Sequence, residues 1–325
     1  MAKDKILKMI KKRAFIIGVT GQDGSYMSKF LLEKNYSVFG FTRSLKKNNL
    51  KNLKILGVKK KINIKKYKDD NLKVILENII KYKPREIYFF SGQSSVNLSF
   101  KNPLETYESN ISILFEILEL LRIKKLNKIK VFNSSSTDCF GKSKNLYNHE
   151  KSTFSPISPY GRAKSFSFWL VKFYRENYKI HSKNGILSNH ESPLRPSSFV
   201  LKRIINFAKN HKNNSLNLGN INVYRDWGWA PEFSEAIYKI NNNKIPDDYV
   251  VGTGKITSLK YIIRKILKLK KIDKKFIKTN TLKSLRPADI KKIGTNPKKI
   301  YENLNWKSKI NIDQIIKKML LNELH

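Results

Sequence analysis

The chain has 325 residues, enough for one large α/β domain, or a main domain with a smaller companion, with ample core. Its formal net charge of +41 comes from 66 Lys and Arg against 25 Asp and Glu, an imbalance that attracts polyanions. The lysines nevertheless run from Lys3 to Lys318 with no single basic block and no aromatic-basic repeat, which argues against a dedicated nucleic-acid groove and leaves weak, salt-sensitive adsorption.

In chain order, Met1 to Arg13 carry lysines but neither a long apolar stretch nor a small-residue cleavage site, so no secretory signal is expected. A short apolar run, Ala14 to Val19, ends in Gly18-Val19-Thr20-Gly21-Gln22-Asp23-Gly24, and helical spacing holds from Tyr26 to Glu33. Ser37 to Phe41 reads as a second strand ending in Thr42-Arg43, making the opening unit a β-α-β of the dinucleotide-binding kind. The lysine-rich stretch from Lys46 to Lys68 is low in complexity. Further strands are expected at Glu86 to Phe90, Lys130 to Phe132 and Asn184 to Leu187, separated by helices over Asn71 to Lys81, Asn110 to Leu121 and Tyr160 to Tyr178.

That alternation predicts an α/β fold, a Rossmann-type doubly wound parallel sheet. After about Asn189 the pattern becomes irregular and loop-rich, with Pro193 and Pro196, as far as Asn222; helices resume near Glu232 and at Ser258 to Lys270. Tyr249-Val250-Val251-Gly252 reads as a late strand returning to the sheet. The expected division is a main domain over residues 1–188 and a smaller, interleaved substrate-binding lobe over 189–325, with segments near 220–255 returning to the main domain. No internal repeat is present, and no stretch approaches the ~20 apolar residues of a membrane span. The sole cysteine, Cys139, allows no internal disulfide and favours a reducing, cytoplasmic location; it reads as a small buried hydrophobe. No metal site is expected.

Glycines 18, 21 and 24 follow a strand, where they permit a tight turn and close approach of backbone to a pyrophosphate at a helix N-terminus. Arg43 stands just after the second strand, where an arginine suits a 2′-phosphate and a carboxylate would suit a ribose diol, so NADP is preferred over NAD. Ser136-Thr137-Asp138 is followed by Tyr160-Gly161-Arg162-Ala163-Lys164. Residues four apart share a helix face, so the Lys164 ammonium is expected near the Tyr160 phenol, lowering its pKa from about 10 toward the range of a general base. Alone, the Tyr-x-x-x-Lys spacing equally describes a helix face carrying an aromatic and a solvated charge.

At these residues the sequence resembles the extended short-chain dehydrogenase/reductase superfamily and, within it, the GDP-mannose 4,6-dehydratases, over nearly its whole length. The strings that carry the resemblance are Gly18 through Tyr26, Gln93-Ser94, Ser158-Pro159-Tyr160 through Lys164, Asn184 to Leu187 with Asn189-His190-Glu191-Ser192-Pro193, Arg225-Asp226-Trp227-Gly228, and Arg286-Pro287-Ala288-Asp289. The resemblance implies that Gly18, Thr20, Gly21, Gln22, Asp23 and Gly24 wrap a cofactor pyrophosphate and that Arg43 meets the 2′-phosphate of NADP. It places Ser91, Gly92, Gln93 and Ser94 along the ribose and nicotinamide, with His190 and Arg195 also on the cofactor. Ser94, Asn189, Lys202, Arg225, Arg286 and Asp289 fall at positions that hold a nucleotide-sugar, GDP-mannose being favoured. Ser136, Asp138, Tyr160 and Lys164 are the implied catalytic set, and a homo-oligomer, dimer or tetramer, is the implied assembly.

The chain departs from the family at several of these positions. Ser136-x-Asp138 stands where the dehydratases have Thr-x-Glu, Lys65-Lys66 where an Asp-Leu pair is usual near the adenine, Ser91-Gly92 for Ala-Ala, and Pro196-Ser197 for Gly-Glu. Asp is one methylene shorter than Glu, and displacing a catalytic group by about 1 Å costs on the order of 10²-fold in rate. A nucleotide-sugar 4-epimerase or 4-keto-reductase needs the tyrosine and lysine but no carboxylate base, and a non-catalytic nucleotide- or nucleic-acid-binding paralogue needs neither; from the residues alone both alternatives stay open.

Overall fold

The computed structural model describes residues 11–68, 71–279 and 287–325. In chain order the strands are β1 (Arg13–Ile17), β2 (Ser37–Thr42), β3 (Asn63–Lys66), β4 (Glu86–Phe89), β5 (Lys130–Ser136), β6 (Tyr147–Asn148) and β7 (Ser182–Leu187). They continue with β8 (Asn189–Glu191), β9 (Leu216–Asn217), β10 (Tyr224–Trp229), β11 (Tyr249–Val251), β12 (Ile256–Ser258), β13 (Ile277–Lys278) and β14 (Lys292–Thr295). The helices are α1 (Gln22–Glu33), α2 (Lys51–Ile55), α3 (Lys73–Tyr82), α4 (Val96–Lys101), α5 (Pro103–Ile123) and α6 (Pro159–Tyr178). After them come α7 (Val200–Lys209), α8 (Ala230–Asn242), α9 (Leu259–Lys270), α10 (Lys298–Leu304) and α11 (Ile312–Leu321).

The main sheet runs β11-β7-β5-β4-β1-β2-β3 with every neighbouring pair parallel. Central strands of such a sheet are covered on both faces and read as continuous apolar runs. β1 shows why: successive side chains alternate, so Ala14 and Ile16 join Met27 and Leu31 of α1 and Phe233 and Ile237 of α8 in one core. Phe15 and Ile17 face the other way, into Ile75 and Ile79 of α3, Ile113 and Ile117 of α5 and Val171 of α6. Two helical layers therefore sandwich one sheet, the doubly wound fold that the alternation of elements predicts.

β1 lies between β2 and β4, so the chain leaves it in opposite directions along the sheet. The crevice outside the carboxyl ends of strands at such a switch point is where open α/β sheets bind ligands. β10 organises a second sheet, pairing with β8, β12 and β14, and its Trp227 and Trp229 enter a third core with α7, α9 and α11. β8 follows β7 after the single residue Ser188, so the edge of the main sheet passes directly into the second one.

Two stretches differ from expectation. The lysine-rich segment forms α2 and the edge strand β3, where Phe39 pairs with Asn63 and Thr42 with Lys66. Its exposed lysines suit an uncovered edge, and only Ile62 and Ile64 supply the alternation, too short a signal to stand out. The stretch read as irregular up to Asn222 contains α7, whose Leu201, Ile204, Ile205 and Ala208 are buried at helical spacing. Pro193 and Pro196 end before it begins.

Candidate active site

β1 ends at Ile17, and the chain turns at once through Gly18, whose φ of +86° is in the left-handed region. A Cβ there would lie 2.8 Å from the Ser91 nitrogen, so the loops after β1 and β4 touch backbone to backbone. Gly21 caps α1, and a Cβ on Gly24 would lie 2.4 Å from the Gly18 carbonyl oxygen, so the first helical turn rests on the glycine turn. This leaves an α-helix N-terminus at the crevice whose capping position, Gly21, carries no side chain, a cradle that fits the pyrophosphate of a nicotinamide dinucleotide. Thr20 meets Thr42, hydroxyl to hydroxyl at 3.3 Å, and Arg43 follows Thr42 as an exposed residue that is not among those lining the cleft.

The loop after β4 divides its four candidates. Gly92, at φ +128°, sits where any Cβ would strike the Asn110 amide of α5, which explains glycine at that place. Gly92 and Ser94 face the cleft. Ser91 is buried and its hydroxyl lies 2.9 Å from that of Tyr67. Gln93 turns into the protein, its amide donating to the Ser95 carbonyl at 2.9 Å and to Thr106 Oγ1 at 3.1 Å, so its side chain shapes the loop rather than lining the cleft.

β5 is longer than expected and carries Ser134, Ser135 and Ser136 to the crevice before a 3₁₀ turn, Thr137–Cys139. Ser136 Oγ accepts from the Asp138 backbone N–H at 3.2 Å and donates to Asp138 Oδ2 at 3.3 Å. α6 brings Tyr160 and, one turn later, Lys164 beneath this turn; both are buried. Lys164 Nζ donates to the Ser134 carbonyl at 2.9 Å and lies 6.0 Å from the centre of the Tyr160 ring.

The expected lowering of Tyr160 by Lys164 is not what this geometry gives. Burial, then the charge of Asp138, push the phenol above its ordinary value, with a hydrogen bond from Ser136 working against them. Burial pushes Lys164 down to about 8, although Cys139 and Asp23 act to raise it. Desolvation outweighs pair attraction for both groups because the ammonium points to a backbone carbonyl rather than to the phenol. Cys139, fully buried beside them, has its thiol raised by burial and lies 3.4 Å from Ser135 Oγ.

β8 supplies the facing wall. His190 Nδ1 lies 2.7 Å from the Ser188 carbonyl, its Nε2 lies 2.9 Å from Asp23, and its ring stacks on Phe233. Burial raises the Asp23 carboxyl, but the charge and hydrogen bond of His190, with Arg195 and Gln22, outweigh it and hold Asp23 well below the usual carboxylate range. Gln22 donates to the His190 carbonyl at 3.1 Å and accepts from Ser192 at 2.8 Å, latching α1 to this loop. Arg195 lies over the Phe199 ring, with its Nε 3.7 Å from Glu191, a buried carboxyl that sequence reasoning passed over.

Asn189, Arg225 and Asp289 line the same cleft, and the Arg225 guanidinium donates to Asp289 at 3.1 Å. Lys202 does not join them; its ammonium donates to the Pro193 carbonyl at 2.8 Å. Arg203, the next residue, does line the cleft, a cation that helical spacing through α7 would have singled out. Arg286 lies outside the described residues.

The cleft so formed has a volume of about 510 Å³ and joins the glycine turn, the Ser136-Asp138-Tyr160-Lys164 cluster and the Arg225 region. Among the described residues no group of His, Cys, Asp and Glu could hold a metal ion.

The family description "GDP-mannose 4,6 dehydratase" matches residues 15–319. The chain belongs to that family. It is 32% identical over 340 residues to a GDP-mannose 4,6 dehydratase of Cricetulus griseus, covering 95% of this chain and 91% of the relative. Among solved structures, it superposes with a TM-score of 0.83 on dTDP-glucose 4,6-dehydratase from Bacillus anthracis in complex with NAD, at 19% identity over 95% of this chain and 96% of that one. UDP-glucose 4-epimerase from Thermotoga maritima gives 0.84 at 19% identity over 95% and 98%. The fold is thus common to epimerases and dehydratases, and it is the family match that favours dehydration.

Proposed function

We propose that this dehydratase converts GDP-mannose to GDP-4-keto-6-deoxymannose, with NADP held in the cleft. The observation that carries the reading is the convergence of Ser136, Asp138, Tyr160 and Lys164 on one cleft that also contains a glycine cradle and an Arg225-Asp289 wall. A nicotinamide held in this cleft would supply the hydride acceptor for carbon 4 of the sugar and the hydride donor for carbon 6. Tyr160 takes the proton of the 4-hydroxyl, for which its phenol must be drawn back down from the raised value that burial and Asp138 give it, as the positive charge of an oxidised nicotinamide would do; Ser136 hydrogen-bonds the same oxygen. Lys164, held by the Ser134 carbonyl one helical turn from the phenol, would bind the nicotinamide ribose. Asp138 removes the proton on carbon 5, which the carbon-4 ketone acidifies, and passes it to the carbon-6 hydroxyl as that group leaves as water. The unsaturated ketone then takes hydride at carbon 6 and a proton at carbon 5, which balances the one Tyr160 took from the 4-hydroxyl, so no net oxidant or acid is consumed.

Gly18, Thr20, Gly21, Gln22, Asp23 and Gly24 hold the pyrophosphate, Gly92 and Ser94 the ribose side with Ser91 and Gln93 shaping the loop behind them, and His190 and Arg195 the far wall. Arg43, exposed just after Thr42, supports NADP over NAD. Asn189, Arg225, Asp289 and Arg286 hold the nucleotide-sugar, with Arg203 in the place expected of Lys202. Residues 1–188 form the cofactor-binding domain and 189–325 the sugar-binding lobe, its segments near 220–255 returning to the first; the pairing of β11 with β7 supports this division.

The protein is a cytoplasmic homo-oligomer in this reading. Phe166, Trp169 and Phe173 are about half exposed along one face of α6, beside Phe115 of α5. α5 carries Glu105, Glu108, Glu116 and Glu119 against Arg122 alone, so the lysine excess that opposes self-association is absent from that helix. No helix among the described residues is long and apolar enough to cross a membrane.

The test is to offer GDP-mannose, dTDP-glucose and UDP-glucose in parallel with NADP⁺ or NAD⁺. A 4-keto-6-deoxy product from GDP-mannose, fastest with NADP⁺, is expected. Turnover of another nucleotide-sugar instead sinks the substrate assignment, and equal rates with NAD⁺ sink the role of Arg43.

A further inference from the structure

The turn that carries Asp138 is seated against the start of α6 more closely than any residue but glycine permits. A Cβ on Gly161 would lie 2.7 Å from the Asp138 carbonyl oxygen, 3.3 Å from its carbonyl carbon and 3.1 Å from the Pro156 side chain. Gly161 is helical, so it is the missing side chain, and not an unusual backbone conformation, that the site uses. Two of the three atoms it approaches, the tightest among them, belong to the Asp138 backbone, and moving them shifts the residue that carries the carboxylate. The turn is held from the other side as well: Ser155 N–H donates to the Cys139 carbonyl at 3.1 Å, and Phe140 N–H to the Thr137 carbonyl at 3.0 Å. The residue before Gly161 is Tyr160, so the same first turn of helix that presents the phenol also receives the Asp138 backbone.

We propose that Gly161 is a positioning residue for dehydration: by admitting the Asp138 turn against α6 it sets the reach of a short carboxylate toward carbon 5 of a sugar whose 4-hydroxyl rests on Tyr160. This rests on the assignment of Asp138 as the carbon-5 base. A methyl group at position 161 forces the Asp138 carbonyl back by several tenths of an ångström before contact becomes ordinary. Since about 1 Å of misplacement costs on the order of 10²-fold, the expected loss is about tenfold, confined to the step that Asp138 performs.

The experiment compares Gly161→Ala, Gly161→Ala with Asp138→Glu, and Asp138→Asn, each loaded with cofactor and assayed on GDP-mannose and on its carbon-4 and carbon-5 deuterated forms. In Gly161→Ala, kcat falls about tenfold with KM held within about twofold, and the isotope effect from carbon 5 rises while that from carbon 4 does not. Adding Asp138→Glu restores most of the loss, because the longer side chain spans the gap. Thermal melting of Gly161→Ala stays close to that of the parent, since alanine favours helix over glycine by about 1 kcal/mol. A kcat within about twofold of the parent, or a loss that neither changes the carbon-5 isotope effect nor yields to Asp138→Glu, overturns the proposal. If Asp138→Asn leaves dehydration unchanged, the base assignment itself fails; if it abolishes dehydration while Gly161→Ala is silent, the positioning role alone fails.

Discussion

Tyr160 and Lys164 meet the sugar's oxygen and the cofactor's ribose in the proposed chemistry, yet each titrates according to its burial. Removing the phenolic oxygen with Tyr160→Phe is expected to lower turnover by about 10²- to 10⁴-fold with little change in KM, the mark of a lost proton transfer. Steady-state kinetics check this. Lys183, at the start of β7, poses the same physics away from the site. It is fully buried, its amine donates to the Asn241 and Asn243 carbonyls at 2.6 and 2.8 Å at the end of α8, and burial pushes it down to about 7. Between pH 7 and the ordinary lysine value of about 10.4 the unfolded chain binds a proton that the folded chain does not, so stability rises with pH across that window. Lys183→Met is expected to lower stability overall and to flatten that rise by up to about 1.4 kcal/mol per pH unit, read from urea midpoints between pH 7 and 10. Tyr160, Lys164 and Asp138 were legible as a set from spacing and neighbouring strings. The titration of Tyr160 was not, because it depends on where an ammonium points.

α6 is the element on which the site depends most, and its start is defined by Ser158, whose Oγ accepts from the Gly161 N–H at 3.0 Å, with Pro159 at the first turn. Ser158→Ala is expected to cost about 1 kcal/mol, seen as a fall of about 2 °C in melting temperature. The helix, the glycine turn and the central strands were readable because periodicity and turn chemistry agree there. β5 was read short because Asn133 to Ser136 are polar although buried, and polar residues at the end of a strand look like loop until a ligand cleft explains them. α7 is masked in the sequence by the prolines before it, and Lys202, implied by the resemblance alone, turns to the Pro193 carbonyl while its neighbour Arg203 lines the cleft. β3 was hidden by lysines that an edge strand tolerates.

For the whole molecule, the charge of +41 and the exposed aromatic face of α6 pull in opposite directions. Replacing Trp169 and Phe173 together by Glu is expected to convert an oligomer into a monomer in light scattering; a parent protein already monomeric contradicts the assembly. Binding to RNA or DNA is expected to collapse with rising salt, since scattered lysines give affinity only through released counterions. The architecture itself is shared with epimerases, so fold alone does not choose the reaction; the family match does. The most direct measurement is to incubate the purified protein with excess GDP-mannose and a catalytic amount of NADP⁺, following sugar product and reduced cofactor together. Many equivalents of 4-keto-6-deoxy sugar per cofactor, without net NADPH, is the result expected. A 4-epimer or 4-keto sugar that keeps its 6-hydroxyl, or reduced cofactor rising in step with product, would contradict internal-redox dehydration.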